Sequence, residues 1–582
     1  MNNDLLADKK VPASQLLRRT LKYVRKERGS LFLAFLLIVI NVALGVLLPR
    51  ITGYFTDYIS GNNIVLTAIW VTAVAVLVIS IINQAILLLE SMILTKAGQR
   101  IVYELRMEVF EHIENMSQNQ FNDMAVGSLV TRVCSYTSQL SEFFTNILVR
   151  VIRDIFTIVI VYVWMMILSW KLGLLLLAVV VLVFIISFVF SKVVHSFFSK
   201  ERRQLSGLNT YINESLSGMK IIQIFNQENR YAKKFHDKNH QYFKTQLSIV
   251  AAFSIYRPLI SFIYFASVAL IIYAGVRLDL TAGTIVSFYL YLHYFFEPVQ
   301  NLADELNHIT RALTSIERLF NLLDIPPEVL DEDDAIEIND FKGKIEFRNV
   351  YFAYEKENWV LKDVSFVIEP KETVAFVGAT GSGKTTILGL IVRNFEAQKG
   401  QILIDDIDIK HIKLSSLRRA IGQMLQDVFL FTGSIKDNIT LFDDDFSLEE
   451  INASVKYVNA DGFVNSLPEK LETKVLEKGE NFSTGQRQLL SFARTVLHKP
   501  QIMILDEATA NIDAQTEKII QKSLENISHI GTMLVVAHRL STIQYSDKIF
   551  VLSNGEIIEE GNHQQLLKKR GYYYNLYQLQ FK

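Results

Sequence analysis

The chain of 582 residues holds a single cysteine, Cys134, with nine prolines and four tryptophans. One thiol excludes an intramolecular disulfide and leaves no cysteine set for a structural zinc site. Net charge is almost absent as well, 59 basic against 60 acidic residues giving a formal −1. No overall field therefore favours nucleic acid as a partner. A cleavable signal peptide is not predicted, because the first apolar run starts only near residue 31 and no small-residue cleavage site follows it.

What is abundant is apolar residues, at 50% of the chain with a mean hydropathy of +0.23, an unusual composition for a soluble enzyme. Leu31 to Pro49 and Tyr58 to Leu89 carry no charge; Ile155 to Trp170 and Leu172 to Ser191 form a second pair, Pro258 to Val276 and Leu280 to Phe296 a third. A bilayer needs roughly 20 apolar residues per helix, so six spans are expected within 31–322. Basic residues collect on one side of these spans (Lys96, Arg100, Arg106, then Lys192, Lys200, Arg202 and Arg203), which makes that side cytoplasmic. Residues 1–30 contain the basic, amphipathic stretch Gln15 to Arg28, which reads as a helix lying on the inner membrane surface.

A compositional break follows. Residues 323–340 include the Pro326-Pro327 pair and six acids between Asp331 and Asp340, with no basic residue, which reads as an acidic linker. From 341 to 582, apolar runs such as KIEFRNV, TVAFV, QILI, IMILD, TMLVVA and KIFVLS alternate with helical patterns, as in an α/β sheet core. With GATGSGKT at residues 378–385 as a phosphate loop, the predicted fold class is an α-helical six-span transmembrane domain followed by an α/β P-loop ATPase domain.

Residues 378–385 read GATGSGKT, a complete match to G-x-x-x-x-G-K-[ST]. Gly378, Gly381 and Gly383 allow a tight turn whose N–H groups, with those of Ala379, Thr380 and Ser382, can face phosphates, at the start of a helix. Lys384 adds a cation, Thr385 a hydroxyl suited to Mg²⁺, and Thr386 continues the helix. Asp506 closes the apolar run Ile502 to Leu505, where a buried parallel strand would deliver a carboxylate to a second Mg²⁺ contact.

With FSTGQ at Phe482 to Gln486 and IMILDEAT at Ile502 to Thr509 in this order, the second half resembles the nucleotide-binding domain of an ATP-binding cassette transporter. Membrane half first and cassette second resembles an exporter half-transporter over nearly the whole chain. The resemblance implies ATP as nucleotide, Mg²⁺ as its metal, and further roles. Glu507 would polarise the attacking water and His538 contact the γ-phosphate. Tyr354 would stack on adenine, although simple packing is the alternative for an aromatic in a strand. Gln426 would touch Mg²⁺ and sense the membrane domain, and Asp513 would face a second subunit. Ser483, Gly485 and Gln486 would complete the partner's ATP site. The segments His112 to Val133 and Asn213 to Glu228 correspond to coupling regions.

The signature departs from the family's LSGGQ, with Phe482 for Leu and Thr484 for the first Gly. Two accounts stand open at this point: Ser483 and Gln486 form a capping box with Thr484 tolerated, or this chain pairs with a different half-transporter bearing an intact signature. The implied function is ATP-driven export of hydrophobic or amphipathic compounds across the cell membrane by a dimer, the heterodimer favoured. A lipid or glycolipid flippase is the alternative, with a peptide exporter or nucleotide-gated channel behind it. The aromatic run Phe288 to Phe296 could line a substrate cavity or simply pack, and Arg153, Asp154 and Glu297 could face that cavity or pair within the protein.

Overall fold

The computed structural model describes residues 12–61, 66–355, 358–424, 428–506, 514–536, 543–544 and 546–580. Gln426, Glu507, Asp513 and His538 lie outside the described residues. The chain divides into two compact units, residues 1–114 with 124–325, and residues 115–123 with 326–582.

The first unit is all helix. Among the described residues five helices are long and apolar enough to cross a membrane: Arg18–Ile59, Leu66–Glu114, Val126–Leu168, Trp170–Ser217 and Glu228–Arg277. The sixth long helix, Ala282–Leu323, has the length at 42 residues, but its tyrosines, His293 and Glu297 make it less apolar than the others. Large apolar side chains such as Trp70, Phe184, Phe262 and Phe265 stand exposed on the helices. That is the expected surface against hydrocarbon, where an α-helix satisfies its backbone internally.

The first and sixth long helices meet backbone to backbone. A Cβ on Gly53 would lie 1.9 Å from Ser287 Oγ and 2.5 Å from Gly283 O, and one on Gly283 would lie 1.9 Å from Gly53 O. Polar contacts follow the same seam: the Ser287 hydroxyl donates to Pro49 O (3.0 Å), the Tyr291 hydroxyl to Val46 O (2.7 Å), and the Asp57 carboxylate accepts from Gly283 N. Close approach through small residues is how apolar helices associate without a hydrophobic gradient. Phe288, Tyr291, Phe295 and Phe296 are fully packed in this bundle. Of the two readings of the aromatic run, packing accounts for those four.

The N-terminal helix Ala13–Val24 buries its apolar face on the protein itself, with Leu16, Thr20 and Tyr23 all buried. Its Tyr23 stacks on Phe320 and donates to Glu108, while Arg19 lies over Phe320 and makes a two-pronged pair with Asp324 at 2.6 Å. The amphipathic pattern seen in the sequence is thus answered by the helix bundle.

In the second unit, a six-stranded sheet has the order β12 (Glu556–Gly561), β11 (Lys548–Ser553), β3 (Thr373–Gly378), β10 (Thr532–Val536), β9 (Ile502–Asp506) and β6 (Ile421–Met424), parallel except for β12. A second, antiparallel sheet has the order β2 (Leu361–Ile368), β1 (Ile345–Phe352), β4 (Lys399–Ile404) and β5 (Ile407–Asp408), and β7 (Gly433–Ser434) pairs with β8 (Lys474–Val475). Strand alternation sorts the core: Ile502 and Ile504 face one cluster with the helix Lys384–Ile391, whereas Met503 and Leu505 face another with the helix Thr484–Leu497.

The acidic run is folded onto this unit. Arg393, 1% exposed, donates to Leu330 O (2.8 Å), Ile412 O (3.2 Å) and Glu396, and Ile336 bridges to Ile412. The segment Asn115–Asp123 is held there by Gln120, whose amide donates to Pro326 O (2.8 Å) and accepts from Ser117 N and Glu328 N.

The glycine seam yields a paired test. Gly53→Ala should lower the stability of the detergent-solubilised protein by about 1–3 kcal/mol through overpacking. Gly45→Ala, on the same helix but with nothing within 4 Å of the added Cβ, should leave the unfolding temperature unchanged or raise it slightly. Equal behaviour of the two variants in a thermal unfolding assay would contradict the seam.

Candidate functional site

Strand β3 is buried on both faces and ends at Gly378, and the helix that begins at Lys384 is buried along nearly its whole length. The turn between them has no room to spare. A Cβ on Gly378 would meet Leu552 O at 2.3 Å, and Gly383, the N-cap, sits at φ +103 where a side chain is strained and its Cβ would meet Leu361 at 2.6 Å. Gly381, at φ +82, is required by conformation alone.

Lys384 is buried to 6% exposure, and its ammonium donates to Gly378 O (2.8 Å) and Ala379 O (3.0 Å) across the loop. The Ser382 hydroxyl is buried without a hydrogen-bond partner among the described residues. A loop with glycine-only backbone, a cation at its base, an orphaned buried hydroxyl and a helix N-terminus behind it fits a polyphosphate. Ala379, Thr380 and Thr385 are exposed at the same loop, with Thr386 buried behind them.

Tyr354 stands beside that helix. Its hydroxyl is 3.0 Å from Thr386 Oγ1, and its ring packs edge-on against Phe352 and Phe395, leaving the side chain 46% exposed. One edge is thus fixed by packing while ring surface remains available for a flat base.

Asp506 lies at the end of β9, in register with Val536 of β10, which is itself in register with Phe376 of β3. The parallel register therefore brings the carboxylate strand and the phosphate-loop strand to the same edge of the sheet, with β10 between them. The described residues bring together Tyr354, Gly378 to Thr386 and the strand end at Asp506. The positions of Glu507, His538, Gln426 and Asp513 are outside them, although β9 ends immediately before Glu507 and β10 ends at Val536, two positions before His538.

Phe482 to Gln486 form the start of the helix Thr484–Leu497. Ser483 is the N-cap: its hydroxyl accepts from Gln486 N (3.2 Å) and its own N–H donates to Gln486 Oε1 (2.9 Å). The capping box is present, and Thr484 projects its side chain into solvent with only a long contact from Arg487. Phe482 is buried, edge-on against Phe463, so the bulky replacement at this position serves packing. Gly485 is buried within the first turn. The box satisfies the third helical N–H and leaves those of Thr484 and Gly485 for an acceptor outside the helix.

Two residues that brace this region were not singled out from the sequence. Asn438 bonds both backbone groups of Phe431, and Arg494 donates from the signature helix to Asn438 O (2.8 Å). The S-x-x-D pattern of Ser434 and Asp437 that starts the short helix Ile435–Thr440 was the available signal.

Comparison with known proteins agrees with this geometry. Residues 31–299 match the family model of the ABC transporter transmembrane region and residues 361–510 the family model described as ABC transporter. The chain is 36% identical over 570 residues to the uncharacterized ABC transporter ATP-binding protein YknV of Bacillus subtilis, covering 97% of this chain and 94% of that one. It is 35% identical to the probable multidrug resistance ABC transporter ATP-binding/permease protein YheH of the same organism (84% and 73% covered). It is 34% identical to an ATP-dependent lipid A-core flippase of Syntrophus aciditrophicus (87% and 85% covered). Among solved structures, a bacterial Atm1-family ABC exporter with ATP bound superposes with a TM-score of 0.80 at 25% identity, over 95% of this chain and 98% of that one. The chain therefore belongs to the ABC transporter family, as a membrane-embedded exporter whose cytoplasmic ATPase domain couples ATP hydrolysis to transport.

Proposed function

We propose that the chain is one half of a dimeric exporter of hydrophobic or amphipathic compounds, paired with a different half-transporter. The observation that carries the dimer is the solvent-facing start of the signature helix. Its cap leaves the N–H groups of Thr484 and Gly485 without an acceptor in their own helix, so they await one from elsewhere. The short helix Met219–Ile224 adds support: Ile221, Ile224 and Phe225 expose apolar side chains at its tip, a surface suited to docking on an ATPase domain.

In this reading the ATPase work is divided among named groups. Tyr354 holds the base, the 378–386 loop the phosphates, and Asp513 faces the partner. Thr385, Asp506 and Gln426 would hold Mg²⁺, which supplies charge neutralisation on the phosphates. Glu507 orients the attacking water and His538 holds the γ-phosphate. Six helices cross the membrane, the sixth being Ala282–Leu323. Substrate passes as the two cassettes close around ATP and hydrolysis resets the inward-facing form.

The heterodimer rests on Thr484. An exposed β-branched side chain at the first helical position is harmless to its own fold but stands where a partner's phosphate would approach. This chain would then contribute Glu507 and His538 to the site completed by the partner's intact signature. The lipid flippase remains the second reading, because one similar protein bears that name and another a multidrug name.

Three outcomes follow for the assembled transporter. Glu507→Gln should reduce steady-state ATP turnover by about 10²- to 10⁴-fold while nucleotide binding persists; near-normal turnover would remove Glu507 from its role. Thr484→Gly should change turnover little, and a large gain would count against the division of labour between the two sites. The chain purified alone should hydrolyse ATP poorly, and robust drug-stimulated turnover by it would favour a homodimer.

A further inference from the structure

Buried charge is concentrated at one place in the helical unit. A cavity of about 460 Å³ opens between the first, second, third and sixth long helices, lined by Asn41, Asn83, Arg150, Arg153, Asp154 and Glu297, with Tyr294 in the wall. An ionisable group among apolar helices costs several kcal/mol unless it is paired or serves a substrate.

The two arginines are already neutralised. Arg153 pairs with Glu90, which is completely buried, and Arg150 pairs with Glu305 at 3.0 Å. Asp154, 6% exposed, and Glu297, which is exposed, have no ion pair among the described residues. The cluster thus holds four acids, of which Glu90, Asp154 and Glu305 are buried, against two bases, an excess of two negative charges.

Hydrogen bonding shows the same imbalance. Among the described residues Asn83 Oδ1, Glu90 Oε2, Asp154 Oδ2 and Glu305 Oε2 are buried acceptors without a partner, Asn83 and Asp154 lining the cavity, against one such donor in the cluster, Arg153 Nε. Buried acceptors left unpaired are destabilising, more so when charged. With both arginines paired, the carboxylates left over at the cavity wall are those of Asp154 and Glu297.

We propose that this cavity receives the cationic nitrogen or phosphonium head of an amphipathic substrate, with Asp154 and Glu297 as the residues that select its charge. The inference rests on the exporter reading and deepens it. Tyr294 offers a ring face to the same cation. Fourteen residues separate Asp154 from the outer end of its helix at Leu168, about 20 Å at a rise of about 1.5 Å per residue. The head would therefore sit at the depth of the inner leaflet, its apolar part among the helices above. An anionic head would meet uncompensated carboxylates there and be rejected. Two sources share the favoured chemistry, a lipophilic cationic compound and the amine head of a phospholipid.

The test uses the assembled transporter in phosphatidylcholine vesicles and two ions of equal shape and opposite charge, tetraphenylphosphonium and tetraphenylborate. Tetraphenylphosphonium should stimulate ATP hydrolysis and tetraphenylborate should not. Asp154→Asn and Glu297→Gln should each raise the half-maximal tetraphenylphosphonium concentration by on the order of tenfold, with Asp154→Glu close to the parent protein. Translocation of fluorescent phosphatidylethanolamine, but not phosphatidylglycerol, would identify the lipid amine as the source, and its failure alongside a response to the phosphonium would identify the free cation. Equal stimulation by both ions, or carboxylate variants that leave the phosphonium response unchanged, would overturn the charge selection alone. If neither ion nor either lipid is moved or alters turnover, the exporter of amphipathic compounds falls, and this inference with it.

Discussion

The parallel register of β3, β10 and β9 is the constraint on which the ATPase unit depends. Phe376, Val536 and Asp506 stand level across three strands, so the phosphate loop and the acidic strand end emerge along one edge of one sheet. Crossover connections of a parallel sheet place helices on both faces, and here the two faces carry different tools. The helix behind the phosphate loop packs with Ile502 and Ile504, and the signature helix packs with Met503 and Leu505. A slip of one residue in β9 would exchange these faces and bury the carboxylate end. The positions of the phosphate-loop helix and the signature helix thus both hang from the alternation of one five-residue strand.

The helical unit is governed by the opposite requirement, that little should be polar. Where polarity occurs it has a stated use: Ser287, Tyr291 and Asp57 knit the first helix to the sixth, and two ion pairs cancel both arginines at the inner cavity. Asp154 and Glu297 are the residue of that accounting. An exporter has reason to keep such charges, since a site that bound nothing polar could not distinguish its substrate from lipid.

Much of the chemistry was legible in the residues because it depends on local backbone demands. A phosphate loop needs glycine where φ is positive, as at Gly381 and Gly383, and a helix start needs a cap, as at Ser483. The capping box explains why Phe482 and Thr484 are structurally acceptable: one ring is buried against Phe463 and the other side chain is in solvent. Sequence alone could not choose between packing and cavity for the aromatic run, because a period-3.6 stripe looks the same whichever neighbour it meets. Contacts decided it, placing Phe288, Tyr291, Phe295 and Phe296 in the bundle core and Tyr294 at the cavity wall.

By itself the sequence determined the class of machine: the apolar lengths demand helices in lipid, and GATGSGKT followed by LDE demands a nucleotide site, since both are set by short-range sterics and solvation. Only the tertiary structure decided which charges of the helical unit have no ion pair among the described residues, that the acidic run is pinned to the ATPase unit by Arg393, and that Asn115–Asp123 folds with that unit through Gln120. Arg153 and Glu90 are 63 residues apart, and Arg393 and Leu330 are also 63 apart. Interactions of such separation leave no periodic trace in the chain, because the partner is fixed by how helices and sheets pack and not by the residues beside it.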